Sequence, residues 1–278
     1  MQELVAGKVA LITGAGRGQG RAHAVRLAEQ GADIIAVDID ADIPGLPYGL
    51  ATKDDLDETA RLVESHGRRV VAHQVDVRDL AGLRDAVDQG VAALGSLDIA
   101  VANAGIMGAM RPGWELTEQD WATTIGVNLT GVWHTAKVAI PHMIDGGRGG
   151  SVIFISSMAG LRGVANVADY SATKHALVGL ARSLAKDAGR HRIRVNTVHP
   201  GSIATKLLLH DTVYRVFRPD LEQPTLDDCL PAFGKLSMLP DRFQTPEEVA
   251  DAVLWLASDL SRSTTGTTLT VDGGSSFS

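Results

Sequence analysis

Tyr170 and Lys174 lie four residues apart in a stretch, residues 169–189, whose apolar spacing predicts a helix. At that separation both side chains project from one helical face. A free tyrosine ionises only near about pH 10, too high for a base at neutral pH. A neighbouring ammonium favours the phenolate and lowers that value. The pair then has the means to take the hydroxyl proton of an alcohol while a hydride leaves. Alone, Tyr-x-x-x-Lys is also an ordinary exposed contact on a helix, so its surroundings must decide.

A second chemical signal sits near the start of the chain, where residues 13–20 read TGAGRGQG. Gly14, Gly16, Gly18 and Gly20 provide a sharp turn, a close backbone approach to pyrophosphate and tight packing of helix on strand. The free N–H groups at the start of the following helix then face the phosphates, with Arg17, Gly18 and Gln19 among the loop residues expected at the cofactor. A glycine loop is a weak signal by itself. This one follows a short apolar run and precedes an amphipathic helix, the setting the motif requires. Asp38 ends the next apolar run, roughly 20 residues on, and neither Ile39 nor Asp40 after it brings a positive charge. A carboxylate there accepts hydrogen bonds from ribose hydroxyls and repels a 2′-phosphate, so NAD is expected over NADP. Arg17 pulls the other way, since a cation in the loop can help to hold a 2′-phosphate. Asp76 and Val77, after the third strand, are candidates for the adenine edge, and a solvated loop aspartate reads equally well there.

The elements that must position these residues follow from periodicity. Apolar runs at residues 9–12, 34–37, 70–75, 99–102, 152–155, 194–198 and 268–271 read as strands. They alternate with helical patterns at 21–30, 55–66, 80–94, 121–143, 169–189 and 246–256. Continuous apolar runs indicate strands buried on both faces, and the intervening helices supply right-handed crossovers. The expected fold is α/β, a doubly wound parallel sheet with helices on both faces. No linker or compositional shift divides residues 1–278, so one domain is expected. Two segments break the rhythm. Residues 41–52 (ADIPGLPYGLAT) exceed what a strand-to-helix link needs, and residues 203–244 carry four prolines before the last helix. Such loops are commonly lids or binding loops, with a tolerated surface insertion as the plainer alternative for the first.

At 45% hydrophobic and 21% charged, the composition suffices for one sizeable core. A net charge of -7 argues against nucleic acid or an anionic membrane as the main partner. Cys229 is the only cysteine, which excludes an internal disulfide and a thiolate cluster. The histidines form no ligand set in sequence, so no metal is expected. No apolar run approaches the roughly 20 residues of a spanning helix, and residues 1–16 lack a secretory pattern. The expected location is the cytoplasm.

In order along the chain stand the TGAGRGQG loop, Asp38, Asp76, Asn103-Ala104-Gly105, Asn128, Ser156-Ser157, Tyr170 with Lys174, and Pro200-Gly201 with Thr205. Together they resemble the short-chain dehydrogenase/reductases over essentially the whole length. The resemblance implies a Rossmann-type sheet, NAD, and a catalytic set of Asn128, Ser157, Tyr170 and Lys174 interconverting a secondary alcohol and a ketone. In that pattern Ser157 hydrogen-bonds the substrate oxygen, and Ser156 is its confusable neighbour. Lys174 also holds the nicotinamide ribose, and Asn128 anchors a water leading from the lysine to solvent. Asn103, Ala104 and Gly105 shape the cofactor floor. Pro200 and Gly201 turn the chain toward the nicotinamide, where Ile203 N–H and the Thr205 hydroxyl contact carboxamide and phosphate. His199 has no special role in the pattern. Homotetramers are implied as well, through the long helices and the C-terminal segment.

Residues 36–64 narrow the resemblance to a subgroup similar to actinobacterial carveol dehydrogenases, described as mycofactocin-coupled. That implies NAD which exchanges poorly and is reoxidised in place by a mycofactocin-type redox partner. Residues 41–52 are then expected over the adenosine half of NAD, stiffened by Pro44 and Pro47, with Tyr48 packed on the nucleotide. Leu207, Leu208, Leu209, Val213, Val216, Phe217 and Leu221 suit an apolar secondary alcohol such as a terpene. A helix packing its own leucines into the core would look the same. Two other readings stay open. One is an NADPH-dependent ketone or 3-oxoacyl reductase, disfavoured by Asp38. The other is a non-catalytic NAD-sensing module, disfavoured by the intact Ser157, Tyr170 and Lys174.

Overall fold

In the computed structural model, which describes residues 3–240 and 243–277, each apolar run becomes a strand. These are β1 (Val9–Thr13), β2 (Asp33–Asp38), β3 (Val70–Gln74), β4 (Ile99–Ala102), β5 (Gly150–Ile155), β6 (Ile193–Pro200) and β7 (Thr268–Val271). They form one parallel sheet in the order β3-β2-β1-β4-β5-β6-β7. Every residue of β1, β2 and β4 is buried, as their unbroken apolar runs require. The outer strands β3 and β7 are less covered, because an edge strand has a neighbour on one side only.

Alternate residues of each strand serve opposite faces. Ala10 and Ile12 of β1 pack with Leu27 of α1 (Gly18–Glu29) and with Val249 and Val253 of α9 (Pro246–Ala257). Val9 and Leu11 pack with Leu83 and Val87 of α3 (Leu80–Leu94), Ala139 of α5 (Val132–Gly146) and Leu177 of α6 (Ala168–Ala188). The sheet is therefore a Rossmann-type, doubly wound one with helices on both faces. From β1 the chain winds outward through β2 to β3, and from β4 it winds the other way through β5 and β6 to β7. The carboxyl ends of β1 and β4 consequently part, leaving a crevice between them.

Two segments differ from the sequence expectation. The helix expected over residues 121–143 is α4 (Glu118–Ile125), a π-helical turn over Gly126–Gly131, and α5. Thr117 starts α4 earlier through a capping box with Asp120. Residues 203–244 contain α7 (Asp211–Phe217) and α8 (Leu226–Gly234), where a loop was expected. Their Val213, Phe217, Cys229 and Phe233 pack on one another. Residues 241 and 242 of that segment lie outside the described residues. Residues 41–52 stay irregular until Thr52, whose hydroxyl caps α2 (Lys53–Ser65).

Asp98 closes the amino end of the sheet, buried immediately before β4. Its Oδ2 accepts Val9 N–H and the Ser96 hydroxyl, both at 3.0 Å, and its Oδ1 accepts Arg148 Nη2 at 2.6 Å. Without the carboxylate, the first N–H of β1 is stranded in a buried place. Asp98→Ala is expected to lower the unfolding free energy by about 2–3 kcal/mol. Urea unfolding should show an earlier midpoint at an unchanged slope; an unmoved midpoint would refute the role.

Candidate active site

At the end of β1 the turn into α1 tolerates no side chain at two places. A Cβ on Gly20 would stand 1.9 Å from Gly14 O, and one on Gly14 would stand 2.8 Å from Ala104 Cα. Gly14 also has φ +68°, a conformation that glycine adopts freely. Arg17, the N-cap of α1, makes no side-chain cap bond, so the first N–H groups of the helix stay free of one.

This turn borders a cleft of about 390 Å³ in the crevice. Gly14, Arg17, Gly18, Gln19 and Gly20 line one wall. Asp38 and Ile39 after β2, Asp76 and Val77 after β3, and Asn103, Ala104 and Gly105 after β4 line the others, with Thr205 beyond. Gln19 Oε1 is buried without a hydrogen-bond partner. Asp38 accepts Gly16 N–H on Oδ2 and Ile39 N–H on Oδ1, each at 2.7 Å. Burial pushes its carboxyl above the ordinary value, and those two amides and Arg17 pull it back. The remaining residues expected at the cofactor, Tyr170, Lys174, Pro200, Gly201 and Ile203, do not line the cleft itself. Gly201 N–H donates to Val271 O at 3.0 Å, and Ile203 is buried in the core with Val198 and Leu254.

Residues 41–52 roof the cleft. Ile43, Tyr48, Leu50 and Ala51 line it, and Ile43 packs with Val77, Ile106 and Val127. Arg17 holds this roof, donating to Leu50 O at 3.1 Å and to Gly49 O. The sequence left Arg17 as a candidate for a 2′-phosphate; its guanidinium is instead engaged by the insertion. Tyr48 reaches further than the cleft. Its ring lines the cleft, yet its hydroxyl accepts Met107 N–H at 2.9 Å, beside the cluster that contains Tyr170.

The chemistry-bearing residues meet at the cleft's inner end. Lys174 is buried, its Nζ donating to Ile155 O at 2.8 Å and lying 5.5 Å from the centre of the Tyr170 ring. Asn128, in the π-helical turn, accepts Ile106 N–H at 2.8 Å and donates to Ile106 O at 2.7 Å. Gly105 joins this group to the cleft: a Cβ there would lie 3.4 Å from Lys174 Nζ and 3.5 Å from Asn128 Oδ1. Ser157 Oγ accepts Ala159 N–H at 3.1 Å and shares a hydrogen bond with the Tyr170 hydroxyl. The two serines are now distinguished, because Ser156 Oγ donates to Lys174 O at 2.8 Å.

The lowered phenol expected for Tyr170 is not found in the protein alone. Burial pushes it up, and the bond with Ser157 pulls it back. Burial likewise brings Lys174 down from 10.5 to about 8. His199, given no role from sequence, turns out to hold Ser157: its Nδ1 lies 2.8 Å from Ser157 O and its Nε2 2.8 Å from the Thr197 hydroxyl. A carbonyl can only accept, so Nδ1 carries the proton, and burial keeps the ring neutral with a pKa near 4. No local signal could have found this contact, which spans 42 residues. Among the described residues, no group of three or more His, Cys, Asp or Glu could hold a metal ion. No helix among them is long and apolar enough to cross a membrane.

A family model described as enoyl-(acyl carrier protein) reductase matches residues 14–276. The chain is 47% identical over 273 residues to the (-)-trans-carveol dehydrogenase of Rhodococcus erythropolis, spanning 98% of this chain and 99% of that one. Among solved structures it is similar to a carveol dehydrogenase from Mycobacterium avium in complex with NAD, at TM-score 0.97 and 49% identity over 98% and 99% of the two chains. A short chain dehydrogenase from Mycobacterium paratuberculosis bound to NAD is also similar, at TM-score 0.89 and 48% identity, with 98% and 99% covered.

The buried ammonium makes stability depend on pH. Between about 8 and 10.5 the unfolded chain keeps a proton on Lys174 that the folded chain has lost, so stability rises with pH there. The raised Tyr170 acts in the opposite sense, but only above about pH 10. Urea unfolding of nucleotide-free protein between about pH 8 and 9.5 is expected to show this rise, and Lys174→Met to flatten it. Equal slopes in the two proteins would contradict it.

Proposed function

The chain belongs to the short-chain dehydrogenase/reductase family, and on that footing we propose that it is an NAD-dependent oxidoreductase interconverting a secondary alcohol and a ketone. One observation carries the reading. Ser157, Tyr170 and Lys174 meet, through Gly105, the same crevice that the glycine loop and Asp38 border.

The cleft's residues fit NAD. The uncapped start of α1 and the backbone at Gly14, Gly18 and Gly20 suit the pyrophosphate. Asp38 keeps lone pairs for the adenosine ribose, and Asp76 and Val77 border the adenine. Asn103, Ala104 and Gly105 form the floor toward the nicotinamide, and Thr205 meets the phosphate from the far wall. Gln19 Oε1, buried and unpaired, has a donor to find in the same space. Bound NAD supplies the hydride acceptor. Tyr170 takes the hydroxyl proton of the alcohol, and Ser157 donates a hydrogen bond to its oxygen. Lys174 holds the nicotinamide ribose and offsets the burial that opposes the phenolate. Asn128 braces Ile106 and so carries a water between Lys174 and solvent.

The substrate is an apolar secondary alcohol of the carveol kind. Tyr170 packs among Met107, Met110, Leu207, Leu208 and Phe217, which offer a polar group little besides Ser157 and Tyr170 itself. The roof of residues 41–52 retains NAD between turnovers, so reoxidation falls to a redox partner acting in place. The chain works as one domain in a cytoplasmic homotetramer.

Tyr170→Phe removes only the hydroxyl. It is expected to leave NAD content intact and lower turnover by about 10²–10⁴-fold, read as NADH formation in a single turnover. Unaltered turnover defeats the mechanism. For the roof, protein washed with labelled NAD and then denatured should release about one unlabelled NAD per chain. Replacing residues 42–51 by two glycines, with the Thr52 cap kept, should let the label in; full exchange by the intact protein would remove the retention.

A further inference from the structure

Tyr48 leaves the roof of the cofactor cleft and enters the surroundings of Tyr170. Its hydroxyl accepts Met107 N–H at 2.9 Å, and Met107 is buried in the apolar cluster with Tyr170 and Leu207. On its other side the ring lies 5.1 Å from that of His210, tilted by 38°. His210 is the N-cap residue of α7, so this contact links the cofactor roof to the helices over Tyr170. Burial pushes the Tyr48 phenol up to about 12, and the Tyr170 phenol adds to that rise. Burial also holds His210 below its ordinary value. Both rings are therefore neutral at neutral pH, and Tyr48 has no means to serve as a second base. What it offers is a fixed, flat surface.

We propose that Tyr48 is a specificity-determining residue, the wall of the alcohol site contributed by the insertion, with His210 setting where that wall meets α7. The proposal rests on the alcohol–ketone reading above. A substrate ring too large for the space in front of Tyr170 must displace Tyr48, which costs the Met107 bond and the His210 contact together. The size of alcohol accepted is thereby tied to the segment that covers NAD. The Tyr48 hydroxyl and ring have separable parts: the hydroxyl fixes position, and the ring takes up volume.

The test is the ratio of the second-order rate constant for single-turnover NADH formation with a bulky terpene alcohol to that with cyclohexanol, measured on NAD-loaded protein in wild type, Tyr48→Ala, Tyr48→Phe and His210→Ala. Loss of cofactor or of folded protein lowers both substrates equally and cancels in the ratio. Tyr48→Ala is expected to raise the ratio about tenfold toward the bulky alcohol, the scale on which a pocket discriminates small changes in apolar bulk. His210→Ala should move it the same way by less, and add little in the double variant because the contact is shared. Tyr48→Phe should move it the same way but by less than Tyr48→Ala, since the ring remains and only the Met107 bond is lost. An unchanged ratio in Tyr48→Ala, with wild type turning over both alcohols, overturns the proposal alone. Wild type oxidising neither alcohol overturns the apolar-alcohol reading and the proposal with it.

Discussion

Between β1 and β4 the winding of the sheet reverses, and no crossover helix can cover the strand ends that part there. Everything chemical in the molecule is arranged around that uncovered place. Four turns reach it from β1, β2, β3 and β4, carrying Gly14, Asp38, Asp76 and Asn103 into one cleft. Because the strands are pinned in register, with β1, β2 and β4 wholly buried, the turns leave them at fixed heights. The glycine turn follows from the same constraint: with Gly14 against Ala104, two turns are packed as closely as backbone allows.

The inner end of the site is buried, and its ionisable groups respond as burial dictates. Tyr170 is pushed up, while Lys174 and His199 are pulled down. A neutral His199 with one defined tautomer can act as a brace for Ser157, since it neither gains nor moves charge as the site works. Asn128 braces the opposite side by satisfying both backbone groups of Ile106. The hydroxyls of Ser157 and Tyr170 thus share their surroundings with two neutral supports, and Lys174 is the ionisable group there whose charge burial leaves free to adjust near pH 8.

How much of this was legible depended on distance along the chain. Tyr170 and Lys174 are one helical turn apart, and the glycine turn and Asp38 belong to one strand–helix–strand unit, so local pattern sufficed. The π-helical turn was not legible, because a period near 4.4 and one of 3.6 barely separate over the six residues Gly126–Gly131. Helix α8 carried a signal that was passed over: Thr225 and Asp228 make a capping box with Asp in place of the usual Glu or Gln, and the prolines nearby suggested a loop. The contacts of Tyr48 with Met107, of His199 with Ser157 and of Asn128 with Ile106 join residues 59, 42 and 22 apart. Nothing in a linear pattern predicts such pairs; the sheet brings them together.

The roof over the cleft has no ladder or helix of its own. Its order is lent by a few side chains: Arg17 at two carbonyls, Asp42 accepting Leu50 N–H, Tyr48 at Met107, and Ile43 in its small cluster. Such a segment melts by itself at a free energy well below that of the sheet beneath it. On the retention proposed above, what lies under it departs at the pace of a local unfolding event, not at one set by its own affinity. Escape of that kind quickens steeply with warming and with mild denaturant, under conditions where the core has not begun to open.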